Sequence, residues 1–413
     1  MDELAIHGGH KACAPGTIPA WPIFDDSEEQ ALLRTLRSRL WWRIPGREVD
    51  AFEASFARFH DIEHALAVSN GTQAIELALA TLGIGFGDEV IVPAFTFAST
   101  ATAVLHAGAT PVTVDVDLDT YCMTPEAFER AITPRTRAVI PVHLAGQVCE
   151  MADILAIAAR HDIKVIGDAA HAHGARWRGQ SVATLGDMAI FSFQSGKLLT
   201  AGEGGALVTR DPALIQRAWI KTSCGRPRTD RRYEHVELGT NMRMGEFQGA
   251  ILGAQLQRFP QQLAEREEAA QRLDALIAEL PGLRVQARTP DVTTHSHYMY
   301  MLRLDGSYHG VTRDFLVEAL VAEGVPAYFS YRAIPDFPMF ATGALWAGTP
   351  PASLSPAEVR GALERHPIPV SRELAARSLW LHHTVLLGGQ AVQVAVAGAI
   401  RKVMERAERR TAA

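Results

Sequence analysis

From about residue 48 the chain settles into a regular alternation of apolar runs and amphipathic stretches. Residues 48–60 read as a helix, 65–68 as a short strand, 71–82 as a helix and 89–93 as an apolar strand. A helix over 99–107 and a strand over 110–114 follow. Further on, 138–142, 164–167, 188–193 and 205–209 read as strands, with a helix at 151–161. Short apolar strands that alternate with amphipathic helices predict an α/β fold: one mostly parallel, seven-stranded sheet covered by helices on both faces. In such sheets ligands bind beyond the carboxyl ends of the strands.

The pattern differs on either side. Residues 1–47 form an irregular lead-in with Pro15, Pro19 and Pro22 and one helix near 27–40. A long helix is expected over 246–280, bent near Pro260. Beyond it come strands at 283–286, 298–304 and 327–329, helices at 312–323 and 391–406, and a proline-rich stretch over 335–369. The expected division is a lead-in at 1–47, a large domain at 48–258 and a smaller α+β domain at 259–413.

Composition narrows the function. The 413 residues are 47% hydrophobic and 21% charged, an ordinary globular balance. The net charge of −6 gives no bulk attraction to nucleic acid or to an anionic membrane. Cys13, Cys122, Cys149 and Cys224 form no C-x-x-C pair, and their spacing fits neither a zinc site nor a disulfide framework. No secretory signal opens the chain, and no apolar run approaches the roughly 20 residues that span a bilayer. A cytoplasmic enzyme with reduced thiols is expected.

Two segments carry the chemistry. KVIGDAAHAH at 164–173 delivers Asp168 to the carboxyl end of a strand, and FSFQSGKLLTAGEGG at 191–205 sets Lys197 in a small-residue loop between two strands. Alone, Lys197 reads as a solvated loop lysine and Asp168 as a helix cap. Together they match what pyridoxal phosphate requires: an amine for the Schiff base, and a carboxylate that keeps the pyridine nitrogen protonated. SNGT at 69–72 lies between a strand and a helix, where free N–H groups and the positive dipole end suit a phosphate. As a bare pattern it is also an ordinary helix cap. PAFTF at 93–97 follows a strand and offers an aromatic to stack on a ring, or one more core aromatic. His171 and His173 form an H-x-H pair, but no partner follows at metal-ligand spacing; no metal is expected.

With these pieces placed, the chain resembles the DegT/StrS family of sugar aminotransferases, pyridoxal-phosphate enzymes of fold type I. The likeness runs through SNGTQAIELAL, GDEVIVPAFTF, PVHLAG, DAAHAHGA, FSFQSGKLLTAGEGG and GTNMRMGEFQGAIL, and so through nearly the whole chain. The resemblance implies that Lys197 forms the aldimine and later shuttles protons, and that Asp168 pairs with the pyridine nitrogen. It implies that Phe97 stacks on the ring, that Gly71, Thr72 and Ser192 hold the phosphate, and that His171 lies against the ring or its hydroxyl. Asn241 would reach the phosphate of a neighbouring subunit, which makes a homodimer with two shared sites the expected assembly.

Within the family, PAWP (19–22), WWR (41–43), AHAHGARW (170–177), SCGRPRTDRRY (223–233), HSHYM (295–299) and WLHH (380–383) resemble the 3-amino-5-hydroxybenzoate (AHBA) synthase subgroup. That likeness implies aromatisation of 5-amino-5-deoxy-3-dehydroshikimate, or transamination of a keto-sugar, in antibiotic or other secondary metabolism. The opening LAIHGGHKA (4–12) resembles cyclitol and sugar aminotransferases instead, which use L-glutamine or L-glutamate as donor. Arginines 226, 228, 231 and 232 beside Tyr233 either clamp a substrate carboxylate, with Arg232 and Tyr233 the candidates, or form a solvated basic loop. A silent regulatory relative is the non-enzymatic alternative; the intact Lys197 and Asp168 oppose it. A dinucleotide oxidoreductase is opposed by the lack of G-x-G-x-x-G after the first strand.

Overall fold

The computed structural model describes residues 3–229, 232–305, 311–342, 345–346 and 348–411. Its strands are β1 (His64–Val68), β2 (Glu89–Pro93), β3 (Thr110–Val114), β4 (Thr136–Val139), β5 (Lys164–Asp168), β6 (Arg176–Trp177), β7 (Gln180–Ser181), β8 (Met188–Ser192) and β9 (Gly205–Thr209). Seven of them form one sheet in the order β1-β9-β8-β5-β4-β2-β3. Neighbours from β8 through β3 are parallel, and only β9 runs against the rest. The mostly parallel seven-stranded sheet is therefore as expected. Strands β2, β3, β8 and β9 are buried along their whole length, which is why they read as unbroken apolar runs rather than as alternation.

Strand β4 ends at Val139 where a run to 142 was expected. Pro141 has no N–H to give to the ladder, so regular pairing stops before it. The chain still touches β5 through a bridge between Val142 and Asp168.

The second half holds β10 (Leu283–Val285), β11 (Val292–Thr294), β12 (Met299–Leu304), β13 (Ala327–Phe329) and β14 (Ser378–His382). An antiparallel sheet of order β10-β12-β14-β13 packs under its own apolar cluster, which takes in Leu4 and Cys13 from the lead-in and Val396, Ile400 and Val403 from the last helix. The helix Glu246–Ala278 runs unbroken through Pro260. Its Leu252, Leu256 and Phe259 belong to the core against the large sheet, and its Ala269, Leu273 and Ile277 to the core of the small one. The proline-rich stretch is helical in part: Pro338–Thr342, Pro356–Leu363 and Pro369–Arg377 each open on a proline, which the first helical turn tolerates because that N–H is unpaired anyway. Ile334, Phe340, Val359 and Leu363 from this stretch pack back on the large-sheet core. Among the described residues no helix is long and apolar enough to cross a membrane.

Candidate active site

A cavity of about 410 Å³ opens beyond the carboxyl ends of the parallel strands. Asp168 is the last residue of β5 and is 6% exposed. Its Oδ1 accepts from the Ala170 amide at 3.1 Å and its Oδ2 from the Thr100 hydroxyl at 3.2 Å. Burial pushes this carboxyl above the usual range; the Ala170 bond and the Lys197 charge pull the other way. A buried carboxyl with so few partners has capacity left for a cation or an N–H donor.

Lys197 reaches the same cavity from the loop between β8 and β9. Its amide bonds the Gln194 carbonyl at 2.8 Å, closing a tight turn. The residue is partly exposed to the cavity, yet its amine is enclosed enough that desolvation lowers the pKa to about 7, against the pull of Asp168. A neutral amine at neutral pH is a competent nucleophile.

Opposite lies the start of the helix Gly71–Leu82, capped by the Asn70 side chain on the Gln73 amide at 2.8 Å. A Cβ on Gly71 would stand 2.8 Å from the Ser192 Cβ, so glycine lets the helix start meet the end of β8. Thr72 bonds Ser99 across the cavity wall, hydroxyl to hydroxyl at 2.9 Å. This cradle of amide N–H groups and hydroxyls, with Asp168 opposite, fits a phosphorylated pyridine.

His171 is 4% exposed and is held neutral by burial and by the Lys197 charge. Its Nδ1 accepts from the Ala145 amide at 3.4 Å, which puts the ring proton on Nε2, facing the Tyr331 hydroxyl at 3.4 Å. Phe97 is 56% exposed and lines the cavity near Tyr331.

Gly71, Thr72, Phe97, Asp168, His171, Ser192 and Lys197 are thus brought together. Asn241, Arg232 and Tyr233 are not: all three are exposed and none lines this cavity. Tyr233 instead carries the Arg226 guanidinium 4.2 Å above its ring. Arg231 lies outside the described residues. Sequence reasoning missed Thr100, Tyr298, Tyr331 and Trp380 as lining residues. Tyr298 and Trp380 stood inside quoted motifs, HSHYM and WLHH, which was the available signal; Tyr331 and Thr100 offered none.

Residues 23–401 match the DegT/DnrJ/EryC1/StrS aminotransferase family. The chain is 44% identical to the 3-amino-5-hydroxybenzoate synthase of Amycolatopsis mediterranei, over 94% of this chain and 98% of that protein. It is 38% identical to the L-glutamine:2-deoxy-scyllo-inosose aminotransferase of Streptomyces fradiae, over 98% of each. The crystal structure of AHBA synthase superposes with a TM-score of 0.85 at 43% identity, covering 94% of this chain and 99% of that one.

Proposed function

The chain belongs to the DegT/DnrJ/EryC1/StrS aminotransferase family of pyridoxal-phosphate enzymes, and from that premise we propose that it acts on a cyclic amino or keto substrate in the manner of AHBA synthase. The observation that carries the proposal is the convergence of Lys197, Asp168 and the Gly71 helix start on one cavity. The likeness to AHBA synthase over 94% of the chain supports the substrate class. Bound there, the cofactor supplies an aldehyde that takes up amines and a ring that accepts electrons from the carbon beside the nitrogen. In this reading Lys197 holds the cofactor and moves the substrate proton, its pKa of about 7 suiting both tasks. Asp168 keeps the proton on the ring nitrogen. The Gly71 amide, Thr72 and Ser192 hold the phosphate, Phe97 covers a ring face, and neutral His171 donates from Nε2. Asn241, Arg232 and Tyr233 serve the neighbour's cavity in a cytoplasmic homodimer, since none reaches this chain's own.

A second reading, an L-glutamine-dependent cyclitol aminotransferase, is favoured by one feature. Among the described residues that line the cavity, Lys197 is the only lysine or arginine. A neutral cyclitol needs no further cation, whereas a substrate carboxylate does. The assay that tests the proposal offers the cofactor-loaded protein aminodehydroshikimate and, separately, a panel of keto-cyclitols with L-glutamine or L-glutamate. Formation of AHBA supports the first reading. Bleaching of the cofactor's visible absorbance by an amino donor, followed by amination of a cyclitol, supports the second. Turnover of neither class overturns both.

A further inference from the structure

PAWP, HSHYM and WLHH have found no place so far in holding the cofactor. In the fold each delivers one side chain to the loop that carries Lys197. Trp21 donates its indole N–H to the Ser195 carbonyl at 2.9 Å. Its ring stands edge-on to His383, with centroids 4.5 Å apart. His383 is fully buried, accepts at Nδ1 from Arg266 at 3.3 Å, and borders the Gly196 main chain. Tyr298 lies beneath the tip of the lysine, its ring centroid 4.1 Å from Nζ.

The indole is itself held. The buried Arg266 guanidinium stands 5.5 Å from the Trp21 ring centroid. By contrast, the loop's own bonds are local. Gly196 N–H reaches Gln194 Oε1 at 2.8 Å, the Gln194 side chain reaches Ser195 Oγ at 3.0 Å, and the Lys197 amide returns to Gln194. Such bonds shape a turn without fixing it to the body of the protein. The Trp21 bond to Ser195 does fix it, from the lead-in, and His383, just after β14, backs the indole that makes it.

We infer that Trp21, His383 and Tyr298 are positioning residues forming a collar: Trp21, backed by His383, fixes the 194–197 loop, and Tyr298 aims the Lys197 amine at the cofactor's aldehyde. The inference rests on the reading of Lys197 given above. The step it serves is the addition of the lysine nitrogen to the aldehyde carbon, with loss of one water and formation of a C=N bond. A displacement of about 1 Å in a reacting group can cost on the order of a hundredfold in rate, so a drifting loop would slow this capture before anything else.

The test compares Trp21→Phe with the parent chain. Phenylalanine keeps one ring against His383 and Arg266 and removes the N–H donor together with the second ring of the indole. Without cofactor, hydrogen exchange of peptides spanning 194–198 is expected to quicken by about fivefold, the factor that one ordinary net hydrogen bond carries. Capture of pyridoxal phosphate at Lys197, trapped with borohydride and read by peptide mass, is expected to slow by a similar factor with the thermal midpoint unchanged. Tyr298→Leu is expected to slow capture without quickening loop exchange, because it touches the amine and not the turn. Exchange and capture in Trp21→Phe that match the parent would overturn the collar. So would a loss that merely tracks a lowered thermal midpoint. If the parent captures no cofactor at Lys197, the reading of Lys197 fails, and loop exchange still decides the collar. Should Trp21→Phe not fold, exchange of the Trp21 indole N–H in the parent decides: protection supports the bond to Ser195, and exchange at the free rate overturns it.

Discussion

An ammonium group enclosed in protein loses hydration that its neighbours must replace, and at Lys197 they replace only part of it: Asp168 pulls the pKa up, and desolvation takes it down to about 7. In the cofactor-free protein the amine should therefore be half-neutral near pH 7, where an ordinary lysine near 10.5 is almost wholly charged. Labelling by an amine-directed reagent, read at the Lys197 peptide, should rise to its half-maximal rate close to pH 7; a midpoint near 10 would refute the enclosure. Lys197→Ala is expected to fold and to lose turnover, and normal turnover in that variant would refute its assignment. Asp168→Asn should still take up cofactor while kcat falls by about a hundredfold or more, the scale on which misplaced charge affects developing charge. These two residues were legible in the sequence because one ends an apolar strand and the other sits in a glycine-rich loop after another. Tyr298 and Trp380 stood inside HSHYM and WLHH without any local sign that they reach the cavity, and Tyr331 carried no signal at all. They come from the neighbourhood of β12, β13 and β14, and only the packing of the small sheet against the large one brings them to the cavity.

The elements that build the cradle meet at a distance set by one missing side chain. A Cβ on Gly71 would lie 2.8 Å from the Ser192 Cβ, well inside normal contact. Gly71→Ala should push the helix start away from β8 and weaken cofactor affinity by about tenfold or more, the size of effect a small misplacement produces. Equilibrium binding of pyridoxal phosphate, with circular dichroism to confirm the helices, measures it; unchanged affinity would mean the cradle does not hold the phosphate. At this scale the large sheet was readable because β2, β3, β8 and β9 are buried along their whole length and spell themselves as apolar runs. The helix Pro212–Thr222 and the strand β14 went unassigned. The alternation in β14 mixes Trp380 and His382 with Leu379 and Leu381, and its partner strands lie far away in sequence, so nothing local marks it as a strand.

Over the whole molecule, the collar on the lysine loop depends on how the lead-in is anchored, and Glu323 is that anchor. It is fully buried; its carboxylate accepts from the Ala5 amide at 2.8 Å and the Ala12 amide at 2.9 Å, and pairs with Lys402 at 2.8 Å. Its own carbonyl accepts from the Cys13 amide at 2.9 Å, and Lys402 also reaches the His10 carbonyl at 2.7 Å. One residue thus ties the first residues to the last helix, its final contact falling at Cys13, eight positions before Trp21. Glu323→Ala strips two backbone N–H groups of their acceptor and leaves the largely buried Lys402 ammonium unpaired. Breaking a buried pair from one side costs about 3–5 kcal/mol, most of it from the stranded charge. Denaturant titration should show a loss of that order. Adding Lys402→Met should recover part of it, because the stranded charge is then gone while the two amides stay unmet. Peptides covering 3–13 should exchange faster in both variants, and those covering 194–198 should follow if the lead-in carries Trp21 with it. A double variant no more stable than Glu323→Ala alone would mean that Lys402 is not the group the carboxylate serves, and fast exchange confined to 3–13 would mean that Trp21 holds the loop without help from this anchor.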